Sequence, residues 1–170
     1  MKNTVLRWIS ELFYKKKELE SVISHAKNSL EPDLSIENFE LWITGRQFSD
    51  SEDYWDGNWL DVVARCVGES AVVQVSGPIV HLSELTRLLS ECKQVYATLS
   101  GEAHLACMEP NLDLKITMKA LGNCELSVFL TPDHLYQEHS FTFDLDQSYL
   151  PPLIKQLECL LKAYPLKGIP

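Results

Sequence analysis

The segment Asp50–Asp61, with the sequence DSEDYWDGNWLD, concentrates acidic and aromatic side chains and is the first place to look for chemistry. Several carboxylates close together could bind a cation. With Gly57 at the sixth position of a calcium loop, however, Glu52 and Tyr54 would occupy the first and third ligand positions, and Val63 would replace the closing acid. This spacing does not support a calcium site, and we expect neither a metal nor a cofactor.

The same segment is better suited to contact another protein. Tyrosine and tryptophan provide rigid contact area, and carboxylates complement a basic partner. The alternative is that Trp59, and Trp55 with it, anchor the segment in the core while the acids are only solvated. The candidate partner-binding residues are Asp50, Glu52, Asp53, Tyr54 and Asp56.

Histidines and cysteines are the next candidates. His104 and Cys107 are three residues apart in a predicted strand, so they point to opposite faces and cannot share one metal ion. His134 and His139 flank a polar connection. No nucleophile motif and no glycine-rich phosphate loop is present, so we predict that the chain is not an enzyme. The enzyme alternative requires a cleft that gathers these histidines with carboxylates.

Composition sets the class of protein. The chain has 170 residues and a net charge of −9, with an average content of apolar residues, which predicts a globular protein rather than a disordered one. Nucleic acid is an unlikely partner for so acidic a chain. Five scattered cysteines indicate small core residues in a reducing compartment. No secretion signal or apolar run of membrane-spanning length is evident, so we expect a cytoplasmic protein without a membrane span.

Residues 1–34 are predicted to form an N-terminal amphipathic helix and linker, followed by a single domain over 35–170. Apolar residues recur at helical spacing over 3–28. Residues 1–30 contain six Lys or Arg and three Asp or Glu, so this part carries +3 and the remainder −12. The helix could pack on the domain, lie on a membrane surface, or pair with a partner or a second copy, which would make a homo-oligomer.

The domain is predicted to be α+β, an antiparallel sheet system of about seven strands covered by two helices, with the N-terminal helix in addition. Helices are predicted over about 82–95, with His81 as N-cap and Glu84 reaching back to it, and over about 148–163. The predicted strands cover 39–45, 59–67, 71–76, 103–108, 112–120, 125–131 and 140–144. Gly122-Asn123 is placed at the centre of a hairpin turn, and Gly77-Pro78 is expected to end a strand.

Four pieces of the chain, in order, resemble the WapI-type immunity proteins of bacterial polymorphic toxin systems. They are Gly45-Arg46-Gln47-Phe48, Tyr54-Trp55-Asp56-Gly57-Asn58-Trp59-Leu60, His81-Leu82-Ser83-Glu84-Leu85 and Glu109-Pro110-Asn111-Leu112. The family favours proline where this chain has Ser49, and threonine where it has His81.

The resemblance implies a small cytoplasmic protein that binds a cognate toxin domain and blocks it stoichiometrically, without turnover. An acidic body with no catalytic motif agrees with this role. The leading hypothesis is a non-enzymatic immunity protein whose acidic aromatic surface neutralises a basic toxin. The alternative is a self-associating scaffold or regulatory adaptor that uses the N-terminal helix.

Overall fold

The computed structural model describes residues 31–170, which form eight strands and two helices. The strands are β1 (Leu34–Ile36), β2 (Phe39–Arg46), β3 (Trp59–Val67), β4 (Val72–His81), β5 (Glu102–Ala106), β6 (Leu112–Met118), β7 (Asn123–Leu130) and β8 (Ser140–Asp146), and the helices are α1 (Leu82–Thr98) and α2 (Leu150–Ala163). The predicted α+β class with antiparallel strands and two helices is confirmed. The number of strands is eight rather than about seven, because β1 is too short to show a period. The predicted helix over 3–28 lies outside the described residues.

The strands form two four-stranded antiparallel sheets, in the orders β1-β2-β3-β4 and β5-β6-β7-β8. Within each sheet, every strand pairs with its neighbour in sequence, as expected of hairpin connections. In β6 the side chains alternate between buried and half-buried along the whole strand, so one face of the second sheet lies on the core. The period-two pattern of the sequence therefore reports the buried face correctly.

One hydrophobic core joins both sheets and both helices. The first helix contributes Leu85, Leu88 and Cys92, and the second contributes Leu153 and Leu157. Because α1 contacts both β5 and α2, and α2 contacts β1, the helices bridge the outer strands of the two sheets. This arrangement leaves the strand connections at the two ends of the molecule uncovered by helices.

The helices also bind backbone groups on one edge of each sheet. The backbone N–H of Ser35 in β1 donates to the Gln156 side chain of α2 at 2.8 Å. The backbone N–H of His104 in β5 donates to the Glu91 carboxylate of α1, also at 2.8 Å. Unpaired edge groups invite pairing with another chain, and these two contacts occupy one such group on each sheet.

The strand β4 continues through Gly77 and Pro78, where the sequence was expected to break it. Pro78 pairs with Asp61, and the strand runs on to His81. The prediction was wrong because β4 is an edge strand, where proline needs no ladder partner for its nitrogen.

The turn between β6 and β7 lies one residue earlier than predicted. Its left-handed residues are Leu121, with φ 61°, and Gly122, with φ 79°. The backbone N–H of Asn123 donates to the Ala120 carbonyl, which closes the turn. Leu121 is fully exposed and adopts a left-handed backbone conformation that is unfavourable for leucine.

We expect Leu121→Asn to stabilise the protein by about 0.5–1 kcal/mol, because asparagine tolerates the left-handed region better than leucine. Urea unfolding of the two proteins measures the difference. Leu135→Asn is the matched control, since Leu135 is also exposed but does not have a positive φ. An equal effect of both substitutions would show that backbone strain at Leu121 is not the cause.

Candidate functional site

The four pieces of sequence that carry the family resemblance come together at one end of the molecule. The strands β2, β5 and β7 all run toward this end, and α1 begins there. We call it the loop end. It consists of residues 47–58, 81–84, 107–111, 131–139 and 164–170. Antiparallel pairing places these connections side by side although they are far apart in the sequence.

Asp53 shapes the acidic segment from within. Its Oδ1 accepts the backbone N–H groups of Trp55 at 2.8 Å and Asp56 at 3.0 Å, and its carbonyl accepts the N–H of Gly57 at 2.9 Å. Donation from Asp56 and then Trp55 holds the pKa of the Asp53 carboxyl below its ordinary value. The charged carboxylate of Asp53 therefore stabilises the turn in which Trp55 and Asp56 are exposed to solvent.

Three other predicted contact residues, Asp50, Glu52 and Asp56, are exposed. The Glu52 side chain is 81% exposed and lies 3.1 Å from Nζ of Lys167. Asp50 accepts a hydrogen bond from the hydroxyl of the adjacent Ser49 at 3.2 Å. The carboxylates of Asp50 and Asp56 are thus open to an approaching partner, whereas Glu52 already has a cation beside it.

Aromatic rings surround the buried His81. The rings of Tyr54, Trp55 and Trp59 lie 5.5, 5.8 and 5.3 Å from the His81 ring, measured between centroids. Tyr54 and Trp59 are half-buried, but Trp55 remains 57% exposed. The sequence-based list of contact residues includes Tyr54 and omits Trp55, which offers more apolar surface to solvent.

His81 and Glu84 form the capping box predicted at the start of α1. Oε2 of Glu84 accepts the His81 N–H at 2.9 Å, and Nδ1 of His81 accepts the Ser83 N–H at 3.4 Å. The Tyr54 carbonyl lies 3.2 Å from Nε2, so these partners place the ring hydrogen on Nε2. His81 thus caps α1 and also holds the acidic segment through the Tyr54 carbonyl.

Glu84 also reaches the second sheet. Its Oε1 accepts the backbone N–H of Met108 at 2.8 Å. The carboxylate is buried, and its two oxygens accept the backbone N–H groups of His81 and Met108. This single side chain joins the end of β4 to the connection between β5 and β6.

Asn111 and Thr131 join the connection between β5 and β6 to the connection between β7 and β8. The Thr131 N–H donates to the Asn111 carbonyl, and the Asn111 side-chain amide donates to the Thr131 carbonyl, both at 2.9 Å. Asn111 therefore has a structural role between the two connections.

Asn58 fastens the acidic segment to the C-terminal tail. It is fully buried, and its side-chain amide donates to the carbonyls of Tyr54 at 2.7 Å and Lys167 at 2.8 Å. Its Oδ1 accepts the Lys167 N–H at 2.9 Å. Arg46 adds hydrogen bonds to the carbonyls of Gly57 and Pro165. The bonds to Pro165 and Lys167 span more than a hundred residues of sequence, and no local pattern predicts them.

The tail also packs tightly on the segment. A Cβ added at Gly168, where φ is +68°, would lie 2.7 Å from the backbone nitrogen of Tyr54. The Lys167 ammonium donates to the carbonyls of Ser49 at 2.7 Å and Ser51 at 2.9 Å. The acidic segment is therefore held along its length rather than only at its ends.

The other sequence candidates do not assemble into a site. His104 pairs with Asp113 at 2.7 Å on the outer face of the second sheet, whereas His139 lies beside Gln137 and His134 is exposed. Cys107 lies beyond the end of β5, and burial followed by the nearby Glu84 carboxylate raises the pKa of its thiol far above the ordinary value. Within residues 31–170, no group of three or more potential ligands is placed to hold a metal.

The remaining thiols fit the expectation of core residues with one exception. Burial raises the pKa of Cys66 to about 11 and that of Cys92 to about 12. Cys124 is buried too, but Cys159 is exposed, which corrects the expectation for that residue. No helix in the described part of the chain has the length and apolar character needed to cross a membrane.

We expect Asn58→Ala to destabilise the protein by about 2–4 kcal/mol, since it leaves the part-buried N–H and carbonyl of Lys167 without their partner and removes one of two bonds to the Tyr54 carbonyl. Urea unfolding measures the loss. The control is Asn123→Ala, which removes one exposed side-chain bond at 3.1 Å and is expected to cost less than about 1 kcal/mol. Equal unfolding midpoints for the two variants would contradict an anchoring role for Asn58.

Comparison with known proteins agrees with the geometry of the loop end. Residues 18–165 match the model of the immunity protein WapI-like family. No curated protein and no solved structure matches the chain. The family match includes the acidic segment, the capping box and the connections of the second sheet, and it covers most of the sequence. The chain therefore belongs to the immunity protein WapI-like family.

Proposed function

We propose that this protein is a non-enzymatic immunity protein that binds and neutralises a cognate basic toxin domain through its loop end. The observation that carries the proposal is the acidic aromatic segment, which is held rigid by Asn58, His81 and Lys167 while it exposes Asp50, Trp55 and Asp56. A surface fixed before binding loses less entropy when the partner arrives.

Electrostatics supports a basic partner. The part of the chain that follows residue 30 carries a net charge of −12. Lys167 at the loop end and Arg46 at the end of β2 are both engaged by backbone carbonyls of the loop end. Opposite charge on a toxin would accelerate the encounter and select the correct orientation.

Neutralisation would then be stoichiometric. A toxin that acts on an anionic substrate, such as a nuclease, presents cations at its active site, and the carboxylates of Asp50, Glu52 and Asp56 would compete for them. Tyr54 and Trp55 would supply contact area beside these charges. No bond is made or broken in this mechanism, and the protein would act in the cytoplasm, where such a toxin has its target.

The double substitution Asp50→Lys and Asp56→Lys is expected to weaken binding to the toxin encoded beside this gene by about tenfold or more, because it places like charges opposite the partner. Isothermal titration measures the affinity. Asp53 is left unchanged, since its carboxylate forms the turn.

The matched control is Glu69→Lys with Asp144→Lys, which changes the net charge equally on exposed residues outside the loop end. We expect its affinity to stay within about twofold of the wild type. Equal weakening by both double variants would assign the effect to total charge and remove the acidic segment from the interface. Absence of any binding by the wild-type protein would overturn the proposed function itself.

Salt should weaken the complex. Exposed charges are screened over about 8 Å at physiological ionic strength, so the association rate is expected to fall as sodium chloride is raised. The rate for the Asp50→Lys and Asp56→Lys variant should depend less on salt. Stopped-flow measurements at several salt concentrations provide the test, and identical salt dependence of the two proteins would argue against charge steering by this segment.

A further inference from the structure

The connection between β7 and β8 holds two large apolar side chains in solvent. Leu135 is 73% exposed and Tyr136 is 86% exposed. Exposed apolar pairs of this kind mark contact sites when the backbone beneath them is fixed.

The backbone of this connection is fixed by its own turn. Oδ1 of Asp133 accepts the Leu135 N–H at 3.1 Å, and the Asp133 carbonyl accepts the N–H groups of Tyr136 at 3.2 Å and Gln137 at 2.8 Å. At the base, the hydroxyl of Thr131 accepts the His139 N–H at 3.4 Å. Leu135 and Tyr136, which we call the apolar tip, therefore lie in a turn held by hydrogen bonds rather than in a loose loop.

Apolar exposure is concentrated at the same end of the molecule. Residues 31–170 include twelve exposed large apolar side chains, of which seven lie at the loop end and an eighth, Phe129, is the penultimate residue of β7. The seven are Phe48, Trp55, Met108, Leu135, Tyr136, Leu166 and Ile169. A random scatter of surface residues would not favour one end, so this distribution indicates a contact surface.

The charges around the tip select the kind of partner. Asp133 and Glu138 lie within the connection, and Glu109 lies in the neighbouring connection that Asn111 fastens to Thr131. Anionic lipid headgroups would be repelled by these carboxylates. A second copy of the chain would bring the same acids face to face. A basic protein surface with an apolar recess fits both the charge and the apolar tip.

We propose that Leu135 and Tyr136 are the apolar anchors of the toxin interface, and that this interface spans the loop ends of both sheets. The inference rests on the proposed function and deepens it. The carboxylates of the acidic segment increase the association rate. The apolar tip determines the lifetime of the complex, since burial of apolar anchors mainly slows dissociation.

Glu84 and Asn111 are the structural reason that the two parts can act together. Glu84 joins His81 to Met108, and Asn111 joins the Met108 connection to Thr131. A chain of hydrogen bonds therefore links the acidic segment and the apolar tip in a fixed arrangement. A partner of matching shape can engage both at once.

The test is the double variant Leu135→Ala and Tyr136→Ala, titrated against the toxin encoded beside the gene. We expect the dissociation constant to rise about 100-fold or more, with most of the change in the dissociation rate. The unfolding midpoint should not change, because both side chains are already in solvent. The matched control is Val72→Ala with Leu121→Ala, two exposed apolar residues outside the loop end, with an expected change below about twofold.

Each outcome separates the inference from the function on which it rests. Wild-type affinity in the Leu135→Ala and Tyr136→Ala variant, together with weakened binding by the Asp50→Lys and Asp56→Lys variant, would overturn the inference and leave the function standing. Sedimentation without toxin checks the competing occupant, and self-association lost only in the Leu135 and Tyr136 variant would assign the tip to a homodimer and overturn the inference. A wild-type protein that binds no toxin would overturn both.

Discussion

The burial of two polar side chains, His81 and Glu84, where β4 passes into α1 constrains the rest of this end of the molecule. A buried carboxylate and a buried imidazole are costly unless every polar atom has a partner. The partners available are the helix terminus itself, the Tyr54 carbonyl and the Met108 N–H. The hydrogen bonds of His81 and Glu84 therefore hold the acidic segment of the first sheet and a connection of the second sheet at the same point.

The loop end shows a division between residues that hold the backbone and residues that face solvent. Asn58, Glu84 and Asn111 belong to the sequence pieces that carry the family resemblance, and each binds backbone groups of another segment. Trp55 and Tyr136 project from the backbone held in this way. A frame built from side-chain to backbone bonds can support different exposed residues without change.

The two kinds of exposed residue have different physical roles in binding. Charge acts at a distance and governs the encounter, whereas apolar contact acts only after the surfaces meet and governs how long they stay together. The acidic segment extends from the first sheet and the Leu135 tip from the second. Because the helices lie along β1 and β5, both sheets present uncovered backbone connections at the loop end.

The sequence by itself determined the features that depend on neighbours along the chain. Alternation predicted β3 over 59–67 as it is found, and helical spacing with a capping pair three residues apart placed the start of α1 at Leu82. It could not detect β1, which has three residues, or the position of the turn at Leu121. Only the tertiary structure decided that Asn58 binds Lys167 and that Glu84 binds Met108. Such bonds join residues distant in sequence, and no periodicity or local propensity encodes which distant backbone group a buried side chain will meet.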